Sequence, residues 1–259
     1  MAKKDRTSER DERRERLERM RREAERAERR RTLVVVAVCV VIALVIGGLT
    51  GWKIYQDNQA EQEAAGTPLD EIGVSASEAG CADIVTRGAD GSADHRDGEQ
   101  IDYPDAPPGF GAHWSAPAEF GRKFYTAADR PEVEQLVHNL EHGYTILWYD
   151  QTIADDDGAL QVVEDLADRF DIDPADAEPD EYEANKFIAA PWNVDDAEDG
   201  EDFPRGAHVA LTHWAAEGDD AIEGQGMGVW QYCDQPSGEA VQEFMDEYPA
   251  GNTMEPGAA

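Results

Sequence analysis

Within a few residues of Gly143 the chain switches from helical to extended hydrophobic patterning, which places a helix-to-strand corner there. Val133, Leu136, Val137 and Leu140 recur at i, i+3, i+4 and i+7, the apolar stripe of an amphipathic helix over residues 131–142. Pro131 suits a first helical position, and Glu132 and Glu134 suit the positive end of the helix dipole. Gly143 is a C-terminal capping residue. The aromatic and β-branched run over residues 144–149 then reads as a strand. A helix that turns this sharply into a strand packs back on the sheet. On that helix His138 and His142 are four residues apart, on one face and about one turn from each other. That spacing lets both imidazoles reach one metal ion. The sequence therefore predicts a histidine-lined site at a helix-to-strand corner.

The ends of the chain differ in charge. Residues 33–52 are apolar or small and carry no charge, enough to cross a bilayer as a helix. Residues 1–31 hold 14 Lys and Arg against 9 Asp and Glu, and Arg29, Arg30 and Arg31 abut the apolar run. After it comes Lys53 and then an acidic chain. Positive charge stays inside, so the expected arrangement is single-pass in the cell membrane, with a cytoplasmic N-terminus and the remainder extracytoplasmic. The basic lead-in is too long for an ordinary signal peptide and no A-x-A cleavage site follows, so the span is expected to be retained. The expected organisation is a basic cytoplasmic tail (1–31), a transmembrane helix (32–52), a polar stalk (53–78) and an outer domain (79–259). Membrane lipid, met through the span, is the partner this layout implies; no protein partner is indicated.

Residues 57–259 hold 48 acidic and 8 basic side chains, a net charge near −40. Such a surface repels DNA and RNA. Runs such as Asp155-Asp156-Asp157 and Asp195-Asp196 fit a solvated acidic surface, and no D-x-D-x-D-G calcium loop is present. Of three cysteines, Cys39 falls in the apolar span. Cys81 and Cys233 fall outside it, where disulfides persist, and are expected to pair. Helical patterns recur at 158–171 and 238–248, and strand patterns at 186–192, 207–214 and 228–233. Residues 88–123, 172–185 and 193–206 read as loops. Without a regular βαβ alternation the fold class is α+β, with a small antiparallel sheet and helices.

All six histidines lie in the outer region. His113 sits in Pro107-Pro108-Gly109-Phe110-Gly111-Ala112-His113-Trp114, a rigid turn able to hold an imidazole still. The expected ligand set is His113, His138 and His142, with His95 as fourth member. Three or four imidazoles suit copper or zinc. Met227 and Met254 are available as soft ligands; His208 reads as a surface residue, and His213 lies in a strand with its direction open. A metal-handling or structural site is favoured over catalysis. Two alternatives remain. His138-Asn139-Leu140-Glu141-His142 matches the inverted-zincin pattern H-x-x-E-H, with Glu141 as general base and Glu217 at the spacing of that family's third ligand. In the other, the histidines bond internally in a metal-free interaction module.

An ordered set of short boxes marks the outer domain: His95, Tyr103-Pro104, Pro107-Pro108, Gly111-Ala112-His113-Trp114, His138-Asn139-Leu140-Glu141-His142-Gly143 and Leu211-Thr212-His213-Trp214. This set resembles the bacterial domain-of-unknown-function family numbered 3105 over roughly residues 80–248. Members of that family share the layout of basic tail, single span and outer domain. They typically read Ser-Gly-Pro-His where this chain has Phe110-Gly111-Ala112-His113. The resemblance implies no established activity, so the chemistry rests on the residues.

Overall fold

A computed structural model describes residues 67–258 apart from 92, 173–177, 198–202 and 205. The expected tail, span and first part of the stalk lie outside the described residues. Among those described, no helix is long and apolar enough to cross a membrane. A short turn at Leu69–Glu71 leads into Ile72 and Ala79, both buried in the core. Core packing thus begins inside the stretch expected to be stalk.

The fold is α+β. Five strands, β1 (Val85–Gly88), β2 (Thr145–Tyr149), β3 (Phe187–Pro191), β4 (Val209–Ala215) and β5 (Met227–Cys233), form one sheet in the order β1-β5-β4-β2-β3. The pairs β1–β5, β5–β4 and β4–β2 are antiparallel, but β2 and β3 run parallel. The sheet is therefore mixed rather than wholly antiparallel. A parallel neighbour needs a long crossover, and the chain supplies one through α2 (Gln151–Ala154), α3 (Asp157–Arg169) and α4 (Pro179–Ala184). The helix read from the sequence as 131–142 is α1 (Val133–Glu141), and the last is α5 (Gly238–Glu247).

Both faces of the sheet are covered, which explains why β2 has no polar face. Leu147 and Tyr149 point into a cluster with Val163, Leu166 and Ala167 of α3 and Val241 and Phe244 of α5. Ile146 and Trp148 point the other way, into a cluster with Val133, Leu136, Val137 and Leu140 of α1 and Phe110 of the Pro-rich loop. Alternation along the strand thus serves two cores. Two of the buried indoles anchor neighbouring segments: Trp148 donates to Thr212 Oγ1 at 2.9 Å, and Trp230 to the Pro107 carbonyl at 2.9 Å. The second bond fixes the Pro-rich loop to the sheet.

Cys81 and Cys233 are joined in a disulfide across a separation of 152 residues. It ties the entry of the domain to the end of β5. In the chain-entropy model a closed loop of that length stabilises the fold by about 5 kcal/mol.

Candidate metal centre

The site is built on the C-terminal half of α1. Gly143 has φ +92°, and its N–H donates to the Leu140 carbonyl at 3.0 Å while Tyr144 N–H donates to the Asn139 carbonyl at 3.1 Å. This is a Schellman ending, which stops the helix directly after His142. A Cβ at Gly143 would lie 2.2 Å from the Ala250 carbonyl oxygen, so only glycine admits the C-terminal segment here. That segment is stitched to the helix end. Thr253 Oγ1 donates to the Glu141 carbonyl at 2.7 Å, and Glu255 N–H donates to the same oxygen at 3.1 Å.

The Pro-rich loop is clamped to the other side of α1. Fully buried Asn139 accepts from Ala118 N–H at 2.8 Å and donates to the Ala118 carbonyl at 3.1 Å. The Trp114 indole donates to the Glu99 carbonyl at 2.8 Å. His95 and His113 are brought side by side by an isolated parallel bridge, with Arg96 N–H on the His113 carbonyl at 2.8 Å and His113 N–H on the Asp94 carbonyl at 3.2 Å. Hydrogen bonds from the Ser115 backbone and hydroxyl hold the Asp97 carboxyl below its usual range.

These constraints bring four side chains together. One ligand atom from each of His95, His113, His138 and Glu141 lies within 4.8 Å of the others. His113, His138 and Glu141 are buried and His95 is exposed. The His95 ring stacks on His138 at 5.2 Å between centroids, and His113 meets His138 edge-on at 4.8 Å. A second group, sharing Glu141, adds His142 and Glu255 under the same limit.

Hydrogen bonds fix two of the tautomers. His113 Nδ1 lies 2.8 Å from the Gly111 carbonyl, and His138 Nδ1 lies 2.5 Å from the Trp114 carbonyl. A carbonyl can only accept, so each Nδ1 carries a proton, and in the neutral ring each Nε2 presents a lone pair. His113 Nε2 is 3.0 Å from Glu141 Oε2, yet the alignment completes no hydrogen bond, and this buried nitrogen is left without one. Backbone carbonyls orient metal-binding imidazoles in the same way. The donor atoms therefore fit a cation.

Titration in the site follows from burial and neighbours. Burial disfavours protonated His113, but the Glu141 carboxylate and the Gly111 carbonyl outweigh it and hold its pKa above the ordinary value. Burial, aided by His142 and His113, lowers that of His138 despite the Trp114 carbonyl. Burial alone would raise Glu141; His113, with His138 and His95, reverses that and lowers it.

Three of the four residues expected as ligands, His95, His113 and His138, fall in the first group with Glu141. His142 touches His138, Nε2 to Nε2 at 3.0 Å, but belongs to the second group. Glu141 is outside the expected ligand set and enters the sequence reading only as the base of the disfavoured zincin alternative; its place three residues after His138 on the same helix face was the available signal for a ligand. Glu255 carried no such signal in so acidic a chain. His208 is half-buried and bonded to Asp150 at 2.8 Å. His213 points inward, fully buried between the Tyr144 and Asn252 carbonyls at 3.2 and 2.9 Å. Met227 is buried in the first core and Met254 packs against the second. Glu217 is exposed, its backbone paired with the Asn252 side chain, and belongs to neither group.

Fold and site together define an α+β domain carrying a histidine–carboxylate cluster whose geometry can hold a metal ion. The family model described as "Protein of unknown function (DUF3105)" matches residues 95–259, and the chain belongs to that family. The matched stretch contains every residue of both groups. No curated protein and no solved structure matches the chain.

Proposed function

We propose that this is a membrane-anchored extracytoplasmic protein whose outer domain binds a transition metal, zinc or copper(II), through His95, His113, His138 and Glu141. The observation that carries the reading is the pair of buried histidines with Nδ1–H committed to backbone carbonyls, which leaves their Nε2 atoms as the ligand atoms of a cluster that includes Glu141. Three imidazoles, which are borderline donors, outnumber the one hard carboxylate, and such a set suits zinc and copper(II) better than calcium or magnesium. Bonds of about 2.0–2.1 Å require closing the widest pairs by less than about an ångström per side chain. Four protein ligands complete a tetrahedron, which favours metal handling or a structural ion over hydrolysis, where a position stays open. Exposed His95 gives the ion a route in. The zincin alternative is disfavoured because Glu141 sits among the ligands and Glu217 does not. The anchor rests on the uncharged run at 33–52 and the charge change across it.

The test is titration of the full chain in detergent with Zn(II) and Cu(II) against a competing chelator, which masks weak acidic surface sites. The wild type and His208→Ala should bind alike, and His113→Ala/His138→Ala should lose tight binding. Equal binding by all three overturns the metal reading. For the anchor, proteolysis of intact cells should remove the outer domain and spare residues 1–31. A mature protein starting after residue 50 would contradict it.

A further inference from the structure

Glu141 belongs to two ligand groups at once, and the second group uses none of the remaining ligands of the first. We infer that the centre is binuclear: Glu141 bridges two metal ions, the second completed by His142 and Glu255. The inference rests on the metal reading above and extends it to a second ion.

A carboxylate has two oxygens and bridges naturally, holding ions about 3.5–4 Å apart. His138 and His142 stand on consecutive turns of α1, Nε2 atoms 3.0 Å apart. Each imidazole can then face its own ion across a common edge. His142 Nε2 is 3.4 Å from Glu255 Oε2, and Glu255 belongs to no part of the first group.

Glu255 is exposed, but its placement is built. Its own N–H is held by the Glu141 carbonyl at 3.1 Å. Thr253 is held by the same oxygen at 2.7 Å. Fully buried Lys186 closes the loop: its Nζ donates to the His142 carbonyl at 2.9 Å and to the Ala258 carbonyl at 2.8 Å. The C-terminal segment is thus tied on both sides of Glu255 to the helix end that carries His142.

Charge and access separate the two positions. A divalent ion among three imidazoles and Glu141 leaves a local excess of positive charge, which repels a neighbouring ion. Glu255 offsets that repulsion where it acts. The first position has three buried ligands and the second has two, with Glu255 facing solvent. The second ion is therefore the weaker and more exchangeable one. Two carboxylates and one imidazole also make it the more oxygen-rich position, suited to harder divalent cations.

The experiment is stoichiometry of Zn(II) on the full chain in detergent, with chelator competition and elemental analysis. The wild type should retain two ions, the second bound more weakly. Glu255→Gln and His142→Ala should each lose the second and keep the first. Glu255→Gln is near-isosteric at an exposed side chain, so a folding defect is not expected to confuse the reading; its melting temperature is checked in parallel. Copper(II) supplies an independent readout. One equivalent should give the paramagnetic resonance of an isolated ion, and two should give a dipolar-coupled spectrum in wild type only. One ion in the wild type, or two retained in both variants, overturns the binuclear centre and leaves the single site standing. No tightly bound ion overturns both.

Discussion

Replacing Gly143 with alanine should destabilise the domain and loosen the site together. With φ at +92°, a Cβ pays the left-handed penalty, roughly 1–2 kcal/mol. The new carbon would also stand 2.2 Å from the Ala250 carbonyl oxygen and 3.1 Å from Thr253 Cβ. Both contacts involve the C-terminal segment, which must move away from the helix end. Moving it strains the Thr253 bond to the Glu141 carbonyl, now 2.7 Å, worth about 1 kcal/mol. The sum is about 2–3 kcal/mol. For a domain of this size that lowers the melting temperature by roughly 4–12 °C. Urea denaturation and thermal melts of the full chain read it directly. Gly251→Ala is the control, because a Cβ there meets nothing within 4 Å. If Gly143→Ala stays within about 0.5 kcal/mol of wild type while Gly251→Ala does the same, the capping argument is wrong.

Reducing the Cys81–Cys233 bond, or replacing both cysteines with serine, should cost about 5 kcal/mol by loop closure, seen as a lower urea midpoint; an unchanged midpoint with reductant would refute it. Asn139→Ala should cost about 2–4 kcal/mol, because the Ala118 N–H and carbonyl lose their partner in a buried site. An effect below about 1 kcal/mol would mean the loop is held elsewhere. The metal-free chain should weaken in acid. Burial depresses His213 and His138, so below a pH of about 6.5 the unfolded chain takes up protons that the folded chain resists. Glu141, also depressed, acts in the same direction at lower pH. His113 opposes them: its raised value stabilises below about pH 6.5 and is lost as pH rises through it. Denaturation midpoints should therefore fall from pH 7 to 5, and a flat profile would show that the buried histidines do not govern the acid limb.

The parts of this structure that were legible in the sequence are the local ones. The helix α1, its glycine ending and strand β2 follow from periodicity over adjacent residues, and α3, α5, β4 and β5 carry similar patterns. Strand β1 escaped because Val85 and Thr86 are at an exposed edge and only pairing with Trp230 and Val229 defines them as a strand. The parallel step from β2 to β3 escaped because direction is set by the crossover, not by the strands. Part of that crossover, α4, lies in an acidic stretch; its capping box, Glu178 with Glu181, was the overlooked sign. In the site, His138 is placed by its own helix and His113 by a rigid turn, both visible locally. The partners of Glu141 come from a bridge at His95 and a tail at Glu255, contacts that no local pattern encodes. A glutamate within an H-x-x-E-H string also reads as a base until the fold shows what surrounds it.

X-ray absorption of the full chain loaded with one equivalent of Zn(II) tests the central claim most directly, because it reports the atoms bonded to the ion. The expected spectrum has about three imidazole scatterers and one carboxylate oxygen at roughly 2.0–2.1 Å, with the imidazole signal sharply reduced in His113→Ala/His138→Ala. A shell of oxygens alone, or an unchanged imidazole signal in the double variant, would place the ion on the acidic surface and contradict it.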